Sequence, residues 1–186
     1  MQTLAQQAAQ ASDEIRAAVA AVDPKAFSAI VAELAGSRRI LCYGVGREGL
    51  MMRALAMRLY HLGCDAHVVG DMSAPPVGAS DLLLVSAGPG EFSTVSALIG
   101  VARQDGARTA CFTAQPDGAA PRACNLVLTI PAQTMADDET GAPSLLPMGS
   151  LYEGAMYLTF ELLVLALRTT LDAAPATMRA RHTNLE

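Results

Sequence analysis

Two glycine-rich segments hold the residues of this sequence best suited to chemistry. The first is Gly44-Val45-Gly46-Arg47-Glu48-Gly49 and the second is Ser86-Ala87-Gly88-Pro89-Gly90-Glu91-Phe92-Ser93. Glycines at such spacing let the backbone approach a ligand closely, and a helix starting there aims unpaired N–H groups at it. The chemistry favoured is capture of an anionic or oxygen-rich ligand. The bland alternative is a tight turn joining two packed elements. Asp71 lies roughly 20 residues beyond Gly49, where a dinucleotide fold keeps an acid for the ribose. No Gly-Lys-Ser/Thr follows the glycines, so this is not an ATP-type phosphate loop. A third pattern, Ser150-x-x-Glu153, has the spacing of a capping box, with Glu153 folding back on the start of a helix.

The elements that must position these groups alternate in type. Ile40–Tyr43 is a short apolar run bounded by glycine, read as a buried strand, and Leu50–Leu62 after the first turn reads as a helix stopped by Gly63. Further strands are expected at Asp65–Val69, Leu82–Ser86, Arg108–Phe112 and Asn125–Ile130. A helix over Glu91–Gln104 repeats the strand, glycine turn, helix plan. Residues 131–148 are punctuated by Pro and Gly, too long for an idle connection, and are expected to fold over a site. A long helix covers Leu151–Leu171 and Pro175 breaks it, leaving a tail over 172–186. Ahead of the first strand, residues 3–22 and a second helix capped by Asp23-Pro24 form a helical arm over 1–36. The expectation is a single α/β domain over residues 1–186: a three-layer αβα sandwich with a five-stranded parallel sheet, flavodoxin-like, preceded by N-terminal helices. Ligands bind beyond the carboxyl ends of such strands, where strand order reverses. That gathers Gly44, Gly46, Arg47, Glu48, Ser86, Gly88, Gly90, Glu91, Ser93 and Thr113 around one crevice.

Composition sets bounds. The chain has 186 residues, 52% of them hydrophobic and 17% charged, with a net charge of −5. A nucleic-acid surface is not expected. The N-terminus lacks the basic start and apolar core of a signal peptide, and Ala155–Leu167 is interrupted by Glu161 and short for a membrane span. The reading is a cytoplasmic protein with no membrane partner. Cys42, Cys64, Cys111 and Cys124 form no C-x-x-C pair, and no His/Cys cluster suggests a metal. Lys25 is the only lysine and sits in an N-terminal helix, which argues against Schiff-base chemistry. His61 and His67 read as surface or packing residues, and Arg58 as half of an ion pair. The helix over 151–171 is apolar nearly all round, so it is expected at a subunit interface, in a dimer or tetramer.

The two glycine turns in a five-stranded α/β chain resemble the sugar isomerase (SIS) family, and three segments sharpen the likeness. Ala56-Met57-Arg58-Leu59-Tyr60-His61-Leu62-Gly63 is similar to the first helix of 6-phospho-3-hexuloisomerases, Pro147-Met148-Gly149-Ser150-Leu151-Tyr152-Glu153 resembles their PMGS-x-x-E segment, and Arg181-His182-Thr183-Asn184-Leu185-Glu186 resembles their RH-x-NLE terminus. The resemblance implies a homo-oligomeric, metal-free isomerase without cofactor, moving a carbonyl between adjacent carbons of a phosphosugar through a cis-enediol. It maps the catalytic glutamate to Glu153. It maps an acid/base histidine to His182, in its own or a neighbouring subunit's site.

The chain also departs from that pattern. Glu48 stands where the family usually carries serine. Its second turn, roughly S-G-S-G-x-T, is matched here by Ala87, Gly88, Pro89, Gly90, Glu91 and Phe92. The hydroxyls that would hold phosphate are therefore lost, and Pro89 lacks an N–H. Glu48 and Glu91 would face the spot where a dianion sits, with Arg47 able to offset one of them. The isomerase reading thus stands beside two alternatives. One is the same chemistry on a sugar without phosphate or otherwise modified; the other is a non-catalytic sugar-binding module.

Overall fold

The structure is a computed structural model that describes residues 2–137 and 144–185. Five parallel strands form one sheet in the order β2-β1-β3-β4-β5: β1 (Arg39–Tyr43), β2 (Ala66–Val68), β3 (Asp81–Ser86), β4 (Arg108–Thr113) and β5 (Leu126–Thr129). β3 is central and buried along its whole length, which is why Leu82-Leu83-Leu84-Val85 reads as an unbroken apolar run. Its first residue is acidic, yet Asp81 is satisfied: Arg38 donates to it through Nε and Nη2 at 3.0 and 2.8 Å, and the Gly78 N–H at 2.9 Å.

Helices cover both faces. On one lie α1 (Leu4–Ala20), α2 (Pro24–Gly36), α3 (Gly46–Leu62) and α6 (Ser150–Thr170), around a core containing Ile30, Leu34, Met52, Leu59, Phe112 and Phe160. On the other lie α4 (Ser93–Gln104) and the short α5 (Ala119–Arg122), over Leu83, Val85, Val95 and Ile99. α7 (Pro175–Ala180) is the last helix among the described residues. The expected three-layer architecture and parallel sheet are therefore present.

Several boundaries differ from the sequence reading. α4 begins at Ser93, with Phe92 at its cap, because the second glycine turn holds Glu91 outside the helix. Pro175 does more than end a helix: it occupies the first position of α7, where its missing N–H is harmless. The short helix α5 was not anticipated. Nor is the whole N-terminal segment an arm, since Ile30, Val31 and Leu34 of α2 are buried in the layer and only α1 is mostly exposed.

α6 is long and apolar enough, by length and composition, to cross a membrane. Here it packs on α1, α2 and α3 and buries Ala155, Met156, Phe160, Leu163 and Leu167. Tyr157, Leu158, Leu162 and Leu165 stay on its exposed side. Cys42 and Cys111 are buried thiols, and burial pushes Cys42 up to about 12.

Candidate active site

β1 and β3 are the strands at which the sheet order reverses, and both glycine turns leave their carboxyl ends. The first turn is tight where Gly44 and Gly49 meet. A Cβ on Gly49 would lie 2.5 Å from the Gly44 carbonyl oxygen, and Gly46 sits at φ +57°. These glycines bring the first turn of α3 hard against the end of β1 and present Arg47 and Glu48 beside one cavity.

That cavity has a volume of about 310 Å³. Gly46, Arg47 and Glu48 line it from the first turn, Pro89 and Phe92 from the second, and Tyr152 and Glu153 from the start of α6. Thr134, Met135, Pro147 and Met148 close it from the segment between β5 and α6. Those residues of the segment expected to fold over a site cover this cavity; 138–143 lie outside the described residues.

Glu153 is not a helix cap. The cap position of α6 is Gly149, in the left-handed region at φ 80°, with no side chain capping the helix. Ser150 Oγ instead accepts from Arg47 Nη1 at 3.0 Å. The Glu153 carboxylate turns to Arg47, with Oε2 3.0 Å from Nη2 and its side chain 17% exposed. Arg47 also donates to the Met148 carbonyl at 2.5 Å, so one guanidinium ties α3, α6 and the covering segment together. Burial pushes the Glu153 carboxyl above its ordinary range; Arg47 pulls it down and the nearby charge of Glu48 raises it again.

Glu48 is the second carboxylate, only 7% exposed. Its Oε2 accepts from the Ser86 hydroxyl at 2.5 Å and from the Gly88 N–H at 2.9 Å. Burial raises this carboxyl despite both bonds. Tyr152 lies fully buried beneath, its hydroxyl 3.4 Å from Ser86 Oγ, and burial together with the Glu48 charge pushes its phenol well up.

The structure gathers only part of the residue set expected from sequence. Gly46, Arg47, Glu48 and Glu153 meet at the cavity, with Gly88 and Ser86 just behind Glu48. Gly44 serves the close packing against Gly49. Gly90 packs on Gln115 and Gly118, and Thr113 donates to the Ala87 carbonyl at 2.7 Å, so both brace the second turn rather than face the cavity. Glu91 and Ser93 are exposed and do not line it. Of the two expected carboxylates in the cradle, only Glu48 is there, because α4 starts two residues late and leaves Glu91 in solvent. Asp71, the acid of the dinucleotide pattern, pairs with Arg53 at 3.5 Å.

His182 sits elsewhere. Its ring stacks on His61 at 5.4 Å, and Arg181 donates to the His61 carbonyl at 3.3 Å. His61 is in the last turn of α3 and Gly46 in its first, about 22 Å apart at 1.5 Å per residue. His182 therefore cannot reach the cavity of its own chain. Sequence reasoning missed Tyr152 and Thr134, buried polar residues whose role depends on neighbours far along the chain. Among the described residues no group of three or more His, Cys, Asp or Glu could hold a metal ion.

A doubly wound parallel sheet with two glycine turns at its switch point defines an open α/β fold, with carboxylates on the wall of a cavity at the carboxyl ends of its strands. The SIS domain model matches residues 33–153, and the chain belongs to that family. It is 34% identical to the 3-hexulose-6-phosphate isomerase of Mycobacterium gastri, over 94% of this chain and 87% of that one. It is 28% identical to the enzyme of that name from Bacillus subtilis, over 96% of both. A Methanococcus jannaschii protein, whose crystal structure is described as inferring a 3-hexulose-6-phosphate isomerase function, superposes with a TM-score of 0.83 at 22% identity, over 95% of this chain and 97% of that one.

Proposed function

We propose that the chain is a sugar isomerase that moves a carbonyl between adjacent carbons of a ketose through a cis-enediol, with Glu153 as the base. One observation carries the reading: the Glu153 carboxylate lies on the cavity wall, largely dehydrated and held by Arg47, and not folded onto its own helix. The reaction needs one base. It takes the proton from the carbon beside the carbonyl, giving the enediol, and returns it to the neighbouring carbon; a second proton passes between the two oxygens. A carboxyl raised by burial suits that work, because its pKa moves towards the operating pH. The names of the relatives support an isomerase.

His182 has no place in this scheme within one chain. It fits as the group that handles the oxygens in the cavity of a neighbouring copy, which requires self-association. The exposed stripe of α6 supplies an apolar surface for a second copy of this chain. No cofactor is needed for the proton transfers described.

The test is proton exchange from D₂O into ketoses and their phosphates, followed by NMR. Exchange at the carbon beside the carbonyl, abolished by Glu153→Gln, is the expected result. Binding of a sugar with no exchange into any of the panel would leave a sugar-binding module without turnover.

A further inference from the structure

The cradle that two glycine turns would offer an anion already contains one. Glu48 Oε2 takes both donors at the carboxyl end of β3, the Ser86 hydroxyl and the Gly88 N–H. The next residue, Pro89, has no N–H to add. Among the described residues lining the cavity the cation is Arg47, and it is already committed to Glu153, the Met148 carbonyl and Ser150. The bonds from Ser86 and Gly88 hold the Glu48 carboxylate on the second turn. A Cβ on Gly88 would lie 2.8 Å from Glu48 Oε1 and 2.7 Å from the Tyr152 ring, so carboxylate, turn and phenol are in close contact. Oε1 itself accepts no hydrogen bond among the described residues.

Resting on the isomerase reading of this cavity, we propose that Glu48 sets its specificity: the end of the sugar seated between the two glycine turns carries a hydrogen-bond donor, a hydroxyl or an ammonium, and not a phosphate. A phosphate there would meet a fixed negative charge and find its donors occupied. A hydroxyl or ammonium group instead donates to the unused Oε1. Phe92 on the same wall offers an apolar surface to the carbon skeleton and nothing to an anion. Specificity of this kind comes as much from the repulsive element as from new contacts. The phosphosugar named for the relatives would then be a poor ligand for this chain.

Titration calorimetry with D-fructose, D-glucosamine and fructose 6-phosphate tests this on the wild-type protein and on Glu48→Ser and Glu48→Gln. Glutamine keeps the shape of Glu48 and an acceptor for the Gly88 N–H, which guards against a variant that fails to fold. The wild type is expected to bind fructose or glucosamine about tenfold or more tighter than fructose 6-phosphate, and both variants to gain about tenfold or more for the phosphosugar. A further arm with 6-amino-6-deoxy-D-fructose, whose amine replaces the hydroxyl on the carbon that bears the phosphate, separates hydroxyl from ammonium at that end. Tighter wild-type binding of fructose 6-phosphate than of both unphosphorylated sugars, or no gain for it in either variant, overturns the proposal. Binding is read without turnover. Loss of the isomerase reading would show as absent proton exchange in all three proteins and leave the affinity ranking intact.

Discussion

The Arg47 guanidinium and the Glu153 carboxylate meet at 3.0 Å across the seam between the first turn of α3 and the first turn of α6. Arg47 holds the carboxyl down while burial and Glu48 push it up. Removing the cation while keeping a polar side chain, as in Arg47→Gln, should therefore raise the Glu153 pKa. The acidic limb of the proton-exchange rate should move to higher pH, because less of the base is ionised at any given acidic pH. A pH profile of kcat/KM measures it directly, and an unmoved limb would detach Arg47 from the base.

Glu153→Gln keeps the side-chain volume and removes the base. Proton exchange should fall by about 10²–10⁴-fold, the usual contribution of a positioned acid or base. The melting temperature should change little, since the side chain caps nothing.

His182 is stacked on His61 at the end of α3 remote from the cavity. If it serves a neighbouring copy, Glu153→Gln and His182→Ala chains are each inactive alone yet complement each other when mixed, since some sites then combine an intact Glu153 with an intact His182. Exchange rates of the separate and mixed proteins decide it. Failure to recover activity, with subunit exchange verified, rejects the shared site.

Burial raises Glu48 above its ordinary value in the folded state. For an acid this sign means that the folded protein favours the protonated form. The contribution to stability is full below the unfolded pKa of about 4.3 and is lost as pH rises through the folded value. Glu48→Gln removes the penalty of a buried charge, so it should melt higher than the wild type at pH 7–8, and the gap should close as the pH approaches 4. Melting curves across that range test the sign.

Leu158, Leu162 and Leu165 lie along one stripe of α6 and are 38%, 39% and 50% exposed. A second copy packed there would be split by Leu158→Glu with Leu162→Glu. Sedimentation should show the wild type as a dimer or tetramer and the double variant as a monomer. A wild type that stays monomeric at tens of micromolar would remove the self-association argument, and with it the role given to His182.

Much of the fold was legible because it rests on local signals. The run Leu82–Ser86 is apolar on both faces, and an isolated strand of that kind has nowhere to go but the middle of a parallel sheet. The turns at Gly44–Gly49 and Ser86–Gly90 announce themselves through residues with no Cβ. Boundaries failed where tertiary packing outweighed local preference, as when the second turn kept Glu91 out of α4.

The sequence by itself determined the strands, the two glycine turns, the family and the presence of a carboxylate at the start of the last helix. Only the tertiary structure decided where the side chains point. Spacing made Ser150 and Glu153 equally good partners for each other, but Arg47, more than a hundred positions earlier in the chain, draws both of them away. Spacing likewise placed Glu48 beside the spot where an anion would sit but gave it no partner, until β3 brought the Ser86 hydroxyl and the Gly88 N–H within reach. A helix period or a glycine turn is settled within a few residues. The partner of a charge is settled by which distant segments the sheet sets side by side.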